Sequence, residues 1–178
     1  MKPLPFLVLL SLVALPLLGQ SPTPRRSDVL IGLQPPAPSR STLQDASGRT
    51  TGRATTTASG TTTTIRLNDA SGRSEGMIRT SPSGSTARST VTDASGRTVG
   101  RAAATTSSSG TSIRFEDASG RLQGRAESRT SGNTISTTFT DASGRPLGRS
   151  TTSVSKDSTS TRIQDASGRS LGTVRTTR

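Results

Sequence analysis

The chain has 178 residues, of which 27% are hydrophobic and 2% aromatic, and it contains no cysteine, histidine, tryptophan or tyrosine. That excludes disulfides, a cysteine-linked lipid anchor, thiolate nucleophiles, histidine bases and the usual transition-metal ligand sets, and it leaves too little apolar volume for a thick core. The formal charge of +12 comes almost wholly from arginine, since lysine occurs only at Lys2 and Lys156; guanidinium forks match carboxylates, phosphates and sulfates, and the same charges keep a thinly cored sheet soluble and monomeric.

Lys2 precedes an apolar run from Leu4 to Leu18 that contains Pro5 and Pro16 and is followed by Gly19. This is the layout of a secretory signal peptide over residues 1–19, with cleavage after Gly19. A retained anchor is the competing reading, but the run is shorter than the roughly 20 residues a spanning helix needs. The expected product is exported, to the periplasm, the cell surface or the medium, with no transmembrane span in its mature form. Residues 20–40 hold Pro22, Pro24, Pro35, Pro36 and Pro38 beside Arg25, Arg26 and Arg40, the composition of an extended linker. Within it, Val29, Leu30 and Ile31 could supply one additional strand.

Residues 41–178 form a repeat array. Asp-Ala-Ser-Gly-Arg begins at Asp45, Asp69, Asp93, Asp117, Asp141 and Asp165, every 24 residues without insertion or deletion, with the last copy cut short. Two places before each Asp stands a larger apolar residue, Leu43, Leu67, Val91, Phe115, Phe139 or Ile163. Seven places after each Asp glycine recurs, at Gly52, Gly76, Gly100, Gly124, Gly148 and Gly172. Around the apolar position polar and apolar residues alternate, as in Ile65-Arg66-Leu67-Asn68, which is the period of a strand with one buried face.

Each run then meets a turn. The aspartate side chain can cap backbone N–H groups, Ala and Ser suit a type I turn, and the glycines Gly48, Gly72, Gly96, Gly120, Gly144 and Gly168 can take the left-handed conformation of a G1 bulge. A second, less regular turn falls midway, at Ser59-Gly60, Ser83-Gly84, Ser109-Gly110, Ser131-Gly132 and Lys156-Asp157. Gly96 is therefore expected to be more demanding than Gly110. The predicted fold is all-β, an antiparallel meander of tandem β-hairpins with up to about twelve strands of ordinary length. Open sheet and closed barrel both remain possible, and the alternative is a largely disordered Ser/Thr/Arg-rich chain.

Two registers compete. Pairing Asp with the Arg four places on would put Arg53, Arg101, Arg125 and Arg149 on the apolar face. A slip of one residue would instead gather the apolar position, the recurrent glycine and Ala54, Ala102 and Ala126 on one face, with the arginines outside. Burial favours the second. One hairpin alone cannot offset its ordering entropy, so stability is expected to grow with copy number through contacts between neighbours.

The Asp-x-x-Gly-Arg turn after an alternating strand resembles the YD (RHS-type) repeats of bacterial secreted and surface proteins, and the paired-turn period resembles MORN-like hairpin repeats. The likeness spans residues 41–178. It implies a β-hairpin architecture and no single activity.

No catalytic constellation emerges, and no enzyme activity or cofactor is expected. Six of the eleven acidic residues are the turn aspartates, spaced along the array instead of converging. A calcium ladder on them would need additional glycines and carbonyls around each Asp. The candidate binding residues are the arginine ladder Arg49, Arg73, Arg97, Arg121, Arg145 and Arg169, because repetition turns a weak contact into a multivalent stripe. Its partners would be anionic envelope glycans or lipid headgroups; nucleic acid is disfavoured, since stacking residues are missing. The first functional expectation is a structural or adhesive role at the envelope or outside the cell, and the alternative is a polyanion-binding module.

Overall fold

The computed structural model describes residues 39–177. The signal peptide, the linker through residue 38 and the strand considered at Val29 to Ile31 lie outside the described residues. Twelve strands follow one another: β1 (Ser39–Asp45), β2 (Thr50–Ser59), β3 (Thr62–Asp69), β4 (Ser74–Ser83), β5 (Thr86–Asp93) and β6 (Thr98–Ser107). The second half continues with β7 (Gly110–Asp117), β8 (Leu122–Ser131), β9 (Thr134–Asp141), β10 (Pro146–Val154), β11 (Ser158–Asp165) and β12 (Ser170–Thr177). Every strand is antiparallel to its neighbours, and β12 pairs with β1, so the meander closes into a barrel with no helix among the described residues. Ser39 and Arg40, which composition assigns to the linker, belong to β1, where Arg40 stands opposite Thr55 and Thr177.

The pentapeptide forms the same turn six times. Asp45 N–H donates to Arg49 O at 3.0 Å, Gly48 N–H donates to Asp45 O at 3.0 Å, and Gly48 has φ +80°. This is a type I turn closed by a left-handed glycine, whose backbone twist suits the flanking strands. The pairing of Asp with Arg is thus the first of the two competing registers. It does not persist, because a β-bulge follows at once: Gln44 pairs with Thr50 but Leu43 pairs with Gly52, leaving Thr51 unpaired. The same skip recurs at Glu75, Val99, Gln123, Leu147 and Leu171. One additional residue exchanges the faces, so Leu43, Gly52 and Ala54 are buried while Arg53 faces solvent.

The recurrent glycine has a steric reason that the sequence does not state. Beyond the bulge, the strand passes so close to its other neighbour that a Cβ on Gly76 would collide with Thr92 O, and one on Gly172 with Gln44 O. Gly110 shares this constraint. It opens β7 instead of forming the preceding turn, and a Cβ there would collide with Ser128 O, so the expectation that it is the less demanding glycine is incorrect. The links at Gly60-Thr61, Gly84-Ser85 and Gly132-Asn133 do place glycine first, at φ +56°, +59° and +56°, as a type II′ hairpin requires.

Closure completes the repeat. Asp45 stands opposite Gly172 across the seam, the same register as Gly52 opposite Asp69 or Gly124 opposite Asp141. The sixth pentapeptide thus sits in a hairpin of β11 and β12 that pairs in the same register as the others. No hairpin is terminal, so the purely linear neighbour-to-neighbour stability expected from the sequence gains one further interface.

Inward side chains fill the barrel. One ring consists of the six residues two places before each turn, from Leu43 to Ile163, and beside it lie Ala54, Ile78, Ala102, Ala126 and Val174, all buried. Ile78, Ile113 and Phe139 are 0% exposed, so the interior is a packed core and not a channel. Since a circular barrel widens with strand number and eight strands already accommodate side chains across the middle, complete burial with twelve means that opposite walls press together. Farther from the pentapeptide turns the filling becomes polar but paired. Thr80 and Ser89 hydroxyls bond at 2.8 Å, Ser128 and Thr137 at 2.7 Å, Thr152 and Thr161 at 2.8 Å, and Ser41 and Thr176 at 2.7 Å across the seam. Where the same level carries Ile65 or Ile113 instead, its partner within the adjoining hairpin is Thr56 or Ala104, and on the other side Ile65 meets Ile78 and Ile113 meets Ala126. Small hydroxyl pairs thus occupy core volume that the composition does not supply as hydrocarbon, and each satisfies its partner's hydrogen bond.

Adding one methyl group separates the two glycine roles. Gly76→Ala and Gly172→Ala are expected to destabilise by about 3 kcal/mol or more, because collision with a backbone carbonyl adds to an unfavourable φ. Gly84→Ala, where the methyl meets open space, is expected to lose about 1 to 2 kcal/mol. Urea unfolding midpoints rank the three.

Candidate polyanion interface

All six pentapeptides lie at one end of the barrel, because each joins an odd strand to the following even one. In the first, Asp45 Oδ1 accepts hydrogen bonds from Ser47 N–H at 2.9 Å, Ser47 Oγ at 2.7 Å and Arg49 N–H at 3.0 Å. Five copies repeat this set; in the fourth, Asp117 Oδ1 takes Ser119 N–H and Arg121 N–H while its Oδ2 takes Gln123 Nε2 at 3.2 Å. These donors hold the carboxyls below the usual aspartate range. The serine hydroxyl contributes most in five turns, and the Arg121 backbone N–H most in the fourth.

The arginine ladder anticipated at Arg49, Arg73, Arg97, Arg121, Arg145 and Arg169 is therefore an exposed ring around this rim. Each of its arginines shares a turn with an ionised aspartate, so the rim carries six positive and six negative side chains from the pentapeptides and has little net charge. Among the described residues no three acidic side chains come together in a way that could hold a metal ion.

The uncompensated charge lies on the outer wall. Arg40, Arg53, Arg66, Arg79, Arg88 and Arg101 project from β1 to β6 in turn. Arg114, Arg125, Arg129, Arg149, Arg162 and Arg175 continue the series, so every strand except β9 presents at least one exposed arginine. The acidic residues among these strands are few: Glu75 at a bulge, and Glu116 and Glu127 on β7 and β8. Arg114 Nη2 lies 3.8 Å from Glu116 Oε1, the single ion pair among the described residues. A shallow depression of about 410 Å³ between β8 and β9 sets Arg125 beside Glu127 and Asp141, so it has no positive excess.

The sequence reading attended to the arginines in the repeated motif and missed most of the wall. Its usable signal was the alternation itself: Arg66, Arg114 and Arg162 each adjoin a buried residue, which forces them outward. Their joining into a belt depends on closure. No family model matches the chain, and no curated protein matches it either.

The turn aspartates make stability depend on acidity with a definite sign. Their native values are lower than in the unfolded chain, so their contribution is fully present above the unfolded aspartate range and is lost as pH falls through the native values. Urea midpoints should stay level from neutral pH to that range and decline below it, and Asp93→Asn, which keeps an acceptor but not the charge, should show a smaller decline. Glu75 has the opposite sign. Burial and then the charge of Asp69 push its carboxyl up, and its Oε2 is buried without a hydrogen-bond partner. Glu75→Gln is expected to raise the thermal midpoint at neutral pH, a gain that disappears in acid where the native carboxyl is protonated.

Proposed function

We propose that the chain is an exported module that adheres to anionic polymers of the cell envelope or its surroundings through the outer wall of its barrel. The observation that carries this reading is the belt of exposed arginines on every strand but β9. Guanidinium groups pair with carboxylate, sulfate and phosphate in fork geometry, and many weak contacts along one polymer combine. The ladder at the rim is the weaker candidate, since its aspartates offset it.

The belt also argues against two neighbouring readings. A lipid-spanning β-barrel turns an apolar band outward, and an arginine on that face loses about 2 to 4 kcal/mol at the bilayer midplane; here the wall is mostly arginine, threonine and serine, with Val99 and Leu171 its exposed large apolar residues. A scaffold that grows by strand addition needs a free sheet edge, and closure leaves none among the twelve strands. An adhesive role is thus favoured over a filament-forming one.

Titration of the exported chain with chondroitin sulfate, and with neutral dextran as control, tests the proposal. Saturable binding to the charged polymer is expected, weakening by at least about tenfold between roughly 50 and 200 mM salt because releasing counterions gains less entropy as the salt rises. Equal affinity for the two polymers, or binding that does not saturate, would rule it out.

A further inference from the structure

We infer that the main docking site of this wall is the barrel seam, where a linear anionic polysaccharide lies across β11, β12, β1, β2 and β3. The inference rests on the polyanion reading above and assigns it a place. These five adjacent strands present Arg162, Arg175, Arg40, Arg53 and Arg66, one each, and no acidic side chain apart from the turn aspartates at the strand ends. Closure alone assembles this face, since Arg40 and Arg175 come from opposite ends of the array.

The register arranges four of the five in two rows, and Arg162 stands opposite Thr173. Thr42 stands between Arg175 on one side and Arg53 on the other, and in the next row Thr55 stands between Arg40 and Arg66. Two arginines of a row are thus two strands apart, about 10 Å, with a neutral hydroxyl donor between them. That spacing is close to the length of one disaccharide, so an acidic group on each disaccharide meets one guanidinium. Among the described residues, none of these five side chains makes a hydrogen bond or an ion pair. The opposite wall differs: Arg101 stands across from Glu116 and its Nη1 donates to Ala118 O at 3.4 Å, and Arg114 pairs with Glu116.

Spacing and composition select the polymer. Guanidinium pairs about 10 Å apart match a chain that carries acidic groups at a regular interval. The two phenylalanines of the barrel, Phe115 and Phe139, are buried, so no aromatic face is offered for base stacking.

Two variants that each remove three positive charges provide the test: Arg40→Ser/Arg53→Ser/Arg175→Ser at the seam and Arg101→Ser/Arg114→Ser/Arg125→Ser opposite. With chondroitin sulfate as probe, the seam variant is expected to lose roughly tenfold in affinity and the other about twofold or less. Equal losses would overturn the seam assignment while leaving polyanion binding intact, and no binding by the unaltered chain would remove both. Tighter binding to phosphatidylglycerol vesicles than to the glycan would overturn the polysaccharide as occupant. Circular dichroism checks that each triple variant is folded, and the single changes Arg53→Ser and Arg125→Ser, at equivalent repeat positions, give the same comparison if either is not.

Discussion

The aspartate carboxylate at the head of each pentapeptide is the contact on which the rest of the barrel depends. One oxygen gathers a backbone N–H from the serine two places on and a second from the arginine four places on, and in five of the six copies the serine hydroxyl as well, as at Asp93 with Ser95 and Arg97. Those bonds hold the chain in a turn tight enough that its fourth residue must be left-handed, which is why glycine stands there. The turn alone would aim the following arginines into the core. The bulge immediately beyond it reverses the faces, and the recurrent glycine is what the bulge requires, since the strand then passes within collision distance of a neighbouring carbonyl. Turn, bulge and close approach thus form a single device, repeated six times.

A chain with so little hydrocarbon can close a twelve-stranded barrel because it does not fill it with hydrocarbon alone. Alanines permit opposite walls to approach, and buried serine and threonine hydroxyls pair across strands at 2.7 to 2.8 Å. Placing both members of a pair as hydroxyls leaves neither unsatisfied. Closure then satisfies the last two strand edges, which a low-hydrophobicity sheet would otherwise expose.

The charge distribution follows from the same geometry. Residues that the turn needs as acceptors are anionic and sit at one rim, where their own arginines offset them. Residues that the alternation sends outward are free to be cationic, and they are so on nearly every strand. A molecule built this way has little net charge at one end and is strongly basic around its side.

By itself the sequence determined the unit: the period, the turn and its glycine, the strand phase and the all-β class are local properties, since each depends on residues within about one hairpin of each other. Even the choice of buried face was accessible from apolar position and alanine together, although the bulge that reconciles it with the turn was not, because a pairing skip leaves no composition of its own: its unpaired residue is Thr51, Glu75, Val99, Gln123, Leu147 or Leu171. The irregular turn at Gly110 was misjudged because its constraint comes from Ser128 O on the adjacent strand. Only the tertiary structure decided that the array closes and that the motif arginines are balanced while the wall arginines are not. These depend on which strands become neighbours at long range, and the pairing of β1 with β12 joins residues whose separation in the chain carries no local signal.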